Sequence, residues 1–171
     1  MERMKRNPAA WGLILGGVVL LLSTMFVWLK VTNSAGSETS IRAASTVTGQ
    51  TILLLGFLAL VCGFGVIASH GGGRYWFAGL GLLCALVALA FAVWGLVDAG
   101  GLAARMAASQ AYQDLALPGS ADAVQENVQA GFDSGQLSAS IGLGLIIGLI
   151  GGLLMLVGAL LSFTKRPARV A

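Results

Sequence analysis

The sequence predicts an all-α membrane protein, a four-transmembrane-helix bundle with short helices in the second extracytoplasmic loop. Three observations predict it. Of the 171 residues, 57% are hydrophobic and only 10% charged, whereas soluble domains carry about 25% charged residues to cover a water-facing surface. The charges leave four segments free, roughly 9–29, 51–68, 75–97 and 137–163, each near the ~20 helical residues that cross a hydrocarbon core ~30 Å thick. The tryptophans mark the ends of two of them: Trp11 and Trp76 open the first and third spans, and Trp28 and Trp94 close them. An indole ring is half apolar and half polar, which suits a membrane interface.

The elements follow in order. The tail 1–8 is basic and precedes the first span, 9–29. That span exceeds the apolar core of a signal peptide, and no clear small-x-small cleavage site follows Trp28, so it reads as a retained helix. The loop 30–50 is rich in Ser, Thr, Gly and Asn; "SIRAASTV" reads as linker, as an outward extension of the next helix or as a short strand. A second span, 51–68, and a short turn, 69–74, predict an antiparallel hairpin with the third span, 75–97. The segment 98–136 contains alanine-rich "LAARMAASQAYQDLAL", a break at Pro118 and Gly119, and "ADAVQENVQAG", which together predict two short helices. The fourth span, 137–163, leads to a basic tail, 164–171.

Arg3, Lys5, Arg6, Arg74, Lys165, Arg166 and Arg169 would share one side, against Glu2 alone. The positive-inside rule therefore puts both termini in the cytoplasm and predicts a multi-pass protein of a bacterial cytoplasmic membrane. Orientation signals of this kind account for the net charge of +3, so no nucleic acid is expected as a partner.

Small residues fall on faces. On the fourth span Ser140, Gly144, Gly148, Gly151, Gly152 and Gly158 occupy one stripe at ~100° per residue. Ala78, Gly81, Ala85, Ala88, Ala92 and Gly95 form a heptad-like seam on the third, and Gly12 and Gly16 a shorter one on the first. In lipid, helices associate by close backbone approach, which small residues permit. Each stripe is a predicted packing seam, within the bundle or against a partner subunit or second copy.

Site chemistry is sparse. The single histidine, His70, sits with Arg74 in "HGGGR", which lacks the Lys and Ser/Thr of a phosphate-cradling loop. No Cys/His/carboxylate cluster has metal-ligand spacing. Cys62 and Cys84 fall inside adjacent spans and read as small apolar side chains. Asp114, Asp122, Glu126 and Asp133 follow no calcium-loop pattern and read as solvated helix faces. No catalytic residue, cofactor or metal is expected.

"FVWLKVT", "TVTGQTILLLGFLALVCGFGVIA" and "IGLGLIIGLIGGLLMLVGALLSF" resemble actinobacterial four-helix membrane proteins such as the tryptophan-associated transmembrane proteins. In that group a Trp commonly ends the first helix, matched by Trp28, and a Gly often precedes the second, matched by Gly49. The resemblance implies the four-helix topology and leaves activity open. The functional expectation is a non-enzymatic accessory, scaffold or assembly subunit that packs against a membrane-protein partner or itself within the bilayer. The alternative is a small transport or permeability component working as an oligomer or within a larger complex.

Overall fold

The computed structural model describes residues 8–69, 72–115 and 120–164. The tail basic residues that predict sidedness, His70 and the Pro118–Gly119 break lie outside them. The described chain is mostly helical: α1 Pro8–Ser23, α2 Val47–Ala68, α3 Gly73–Val97, α4 Ala99–Leu115, α5 Ser120–Asp133 and α6 Leu143–Thr164. Three of these, α2, α3 and α6, are long and apolar enough to cross a membrane.

To the helices the chain adds what the all-α expectation lacks, a three-stranded antiparallel sheet. Its strands are β1 Val27–Asn33, β2 Glu38–Arg42 and β3 Leu137–Ile141, in the order β2-β1-β3. The sheet corrects two expected spans. The segment 9–29 is helical only to Ser23, and the segment 137–163 begins as a strand, so Ser140 belongs to β3 and not to a helical stripe.

Local chemistry explains the first correction. The Ser23 and Thr24 hydroxyls donate to the carbonyls of Leu20 (2.6 Å) and Leu21 (2.7 Å). Backbone bonds spanning three residues then tighten the turn at Thr24, Met25 and Phe26, as at many helix ends. The aromatic and β-branched residues that follow favour a pleated strand. In the second case "LSASI" alternates apolar and polar residues, a strand period, and Gly142 ends it against the Val27 carbonyl.

Short connections hold the rest in place. Thr46 caps α2, its hydroxyl accepting from the Gly49 amide (3.1 Å) and donating to the Ala43 carbonyl (2.8 Å). Asp98 separates α3 from α4: its amide donates to the Trp94 carbonyl (2.8 Å) and its carboxylate accepts from the Gly101 amide (2.7 Å). One residue thus ends one helix and caps the next. Gly36, at φ 82°, turns the β1–β2 hairpin.

In the bundle α1 packs on α2 and α6, and α3 packs on α2 and α6. The start of α1, the α2–α3 turn and the end of α6 meet at one end, here the hairpin end. At the opposite, cap end, α4 touches all three strands as well as α2 and α3. Leu102, Ala103, Ala104 and Met106 are completely buried there. One core runs from Leu13 and Met155 in the bundle, through Trp28 and Leu145, to Leu29, Ile41 and Met106 in the cap.

Candidate functional site: the cap over the bundle

The seams locate the surfaces left for function. A Cβ on Gly12 would stand 2.6 Å from the Gly158 Cα, and one on Gly16 would stand 2.6 Å from the Met155 amide nitrogen and 2.7 Å from the Gly151 carbonyl oxygen. Gly12, Gly16, Gly151 and Gly158 therefore form the α1–α6 contact, where backbones meet directly. Gly152 faces Leu89 of α3. On α3, Ala78, Gly81, Ala85, Ala88, Ala92 and Gly95 are all buried. Gly81 receives Leu13, and Gly95 receives Leu102 and Leu145. The stripe on α6 is thus occupied from within the chain by α1 and α3.

Its remaining glycines, Gly144 and Gly148, hold a tryptophan. In the β1–β2 ladder Val27 pairs with Arg42 and Leu29 with Ile41, leaving Trp28 as an extra, bulged residue. A bulge re-aims a side chain. The Trp28 indole turns into the bundle, only 1% exposed, and its Nε1 donates to the Ser23 carbonyl at 2.8 Å. A Cβ on Gly144 would overlap Trp28 Cδ1, and one on Gly148 would lie 3.3 Å from Cζ2. Trp28 is thus a bolt between cap and bundle.

The other tryptophans differ. Trp11 and Trp76 lie on α1 and α3 near the hairpin end, Trp76 being 83% exposed. Trp94 lies near the cap end of α3 under the Arg105 guanidinium, 4.8 Å from the ring centroid, a cation–π arrangement.

The sheet has two unlike faces. Register puts Leu29, Ile41 and Ile141 on one, with Val31, Thr39 and Ala139 beside them, and this face contributes to the core with Leu102 and Met106. The opposite face carries Lys30, Thr32, Glu38, Ser40, Ser138 and Ser140. Lys30 and Glu38 form an ion pair at 2.9 Å with both side chains about half exposed, a contribution of about 0–1 kcal/mol. β2 and β3 each pair on one side only. The result is a platform of hydroxyls and charges.

Asp122, Glu126 and Asp133 are exposed on α5, and Asp133 accepts from Gln129 Nε2 at 3.2 Å. Asp114 lies on α4. Cys62 and Cys84 are buried free thiols, and the described residues hold no group of three or more potential metal ligands. At the hairpin end Arg74 Nη2 donates to the Ser162 carbonyl at 3.1 Å, and Tyr75 stacks on Phe163.

Sequence reasoning identified the small-residue faces but missed the platform and the bolt. The alternation in "LSASI" was the signal available for β3; the inward turn of Trp28 depends on a bulge that no local pattern announces. No family model, curated protein or solved structure matches the chain.

Proposed function

We propose that this chain is a four-span protein of a bacterial cytoplasmic membrane, with both termini inside. In this reading it is a non-enzymatic accessory or assembly subunit that engages a membrane-protein partner through its outer cap. Length supports α1 as the fourth span. Its 16 residues rise about 24 Å, and the tightened turn to Phe26 extends this to about 30 Å, a full hydrocarbon thickness. Met25 and Phe26 are exposed at that point, 62% and 44%.

The observation that carries the functional reading is the use of the small-residue faces. Close helix packing with a partner needs such a face, and those of α1, α3 and α6 are occupied within the chain. Outward positions on the spans include large aliphatic and aromatic side chains such as Leu54, Phe57 and Leu86. Directional groups are instead gathered on the polar sheet face, so docking through the cap replaces docking through the glycine stripe.

Photocrosslinking side chains at Ser40 and Ser138, compared with Leu54 and Phe57, test this in the native membrane. A discrete protein adduct from the sheet positions is expected. Adducts confined to the span positions would overturn cap docking.

A further inference from the structure

The two edges of the sheet are not alike. β3 has α5 beside it, where a Cβ on Gly131 would stand 2.7 Å from Leu137 Cδ1. β2 pairs with β1 alone, and Glu38, Thr39, Ser40 and Arg42 are exposed along it. An uncovered edge offers unpaired N–H and C=O groups to another strand. Hydrogen bonding along β1 identifies these groups. The Asn33 amide donates to the Ser37 carbonyl at 3.0 Å on the β2 side, and the Ser34 amide to the Gln136 carbonyl at 2.9 Å on the β3 side. Val31 pairs with Thr39 and Leu29 with Ile41. By this alternation Thr39 and Ile41 bond β1, while Glu38 and Ser40 turn their N–H and C=O to the open edge.

The side chains on this edge complement themselves. "ETSIR" carries Glu38 at one end and Arg42 at the other, with Ser40 midway. The backbone is still extended at Arg42 (φ -96°, ψ 138°), so Glu38, Ser40 and Arg42 share the polar face. Glu38 Oε1 meets Lys30 at 2.9 Å, which leaves Oε2 open, and Arg42 forms no ion pair among the described residues. Laid antiparallel on itself about Ser40, the strand places Glu38 opposite Arg42 of a second copy, and Arg42 opposite its Glu38. Registers centred on Glu38 or Arg42 oppose like charges instead.

We propose that β2 pairs with the β2 of a second copy, antiparallel and centred on Ser40, so that two sheets become one across a two-fold axis. The inference rests on the cap-docking reading and deepens it by naming the partner as another copy of this chain. A two-fold contact needs a surface that complements itself, and a short strand with opposite charges at its ends is such a surface. Edges that stay unpaired are commonly blunted by lysine, proline or an inward-pointing charge, and β2 has none of these.

The test is made in native membranes, because copies in one bilayer need that axis along the membrane normal. The full chain with Ser40→Cys should form a disulfide-linked dimer under a mild oxidant. Opposed residues of a hydrogen-bonded pair have Cα atoms about 5.5 Å apart, within disulfide reach. Ser138→Cys on β3 should form none, and the buried thiols of Cys62 and Cys84 should not compete. Added to Ser40→Cys, either Arg42→Glu or Glu38→Arg should lower the dimer fraction roughly tenfold, since each opposes like charges twice. Co-expressed with different tags, these two variants should restore the dimer as mixed pairs only, a rescue that separates pairing from misfolding. No Ser40→Cys dimer, an unchanged yield in Arg42→Glu, or no rescue in the mixture would overturn self-pairing. A Ser40 photoadduct of a different protein in place of the dimer would overturn self-pairing and leave cap docking intact, whereas adducts confined to the spans would overturn both.

Discussion

At the scale of single residues, Trp28 and the two glycines that receive it make a measurable contrast. Trp28→Ala removes a fully packed indole and its bond to the Ser23 carbonyl. A loss of about 3–5 kcal/mol is expected, as for other buried aromatic truncations, read as a lower unfolding midpoint in mixed micelles. Gly144→Ala places a methyl group against the indole and should cost about 1–3 kcal/mol by overpacking. Gly148→Ala meets the same ring at 3.3 Å and gains helix propensity, so it should stay within about 1 kcal/mol of the unchanged protein. Equal effects at the two glycines would mean that the indole does not occupy this slot. The small residues themselves were legible because glycine at 3–4 spacing has few other uses in an apolar helix. The slot was not, since Gly144 and Gly148 look identical to the seam glycines that follow them.

Among elements, α1 is the helix most dependent on its neighbours, because its glycines meet backbone and not flexible side chains. Gly158→Leu would push its Cβ into the Gly12 carbonyl carbon, 2.7 Å away, and the Leu13 amide, 2.6 Å away. Neither can yield without moving a helix. The expected outcome is loss of the monodisperse folded species in size-exclusion chromatography, while Gly79→Ala, facing open space, elutes unchanged. A normal profile for Gly158→Leu would remove the case for a backbone-to-backbone α1–α6 contact. Helices were easier to read than strands for a physical reason. Hydropathy registers burial in an apolar medium, and β1 is buried in the cap much as α1 is buried in the bundle. No Gly or Pro punctuates "STMFVWLKVT", so an apolar run passes from helix to strand with only hydroxyls marking the change.

At the scale of the whole molecule, the four-span arrangement can be tested by where single cysteines react. Cys62 and Cys84 are 0% and 3% exposed, so they should contribute little background. Pro8→Cys and Gly72→Cys should react with an impermeant maleimide only from the cytoplasmic side, and Ser138→Cys only from the opposite side. Labelling of Pro8→Cys and Gly72→Cys from opposite sides would show that α1 does not cross. Charge and span length in the sequence carry this prediction. The cap's architecture lay beyond their reach, because β1 and β3 become neighbours only when the bundle has brought the first and last apolar helices together.

That closure has a consequence for the order of events during synthesis. β1 finds its second neighbour, and α1 its main packing face, in a segment made much later, residues 137–164. Roughly 120 residues separate the end of α1 from the start of α6, on the order of ten seconds at about 5–20 residues per second. Through that interval Gly12 and Gly16 lack the α6 backbone they pack on, and the Trp28 slot does not exist. A nascent chain halted before Leu137 would therefore present an unfinished sheet and an unclaimed helix face. Emergence of residues 137–164, and not the folding of any earlier part, is the event that closes both the sheet and the bundle.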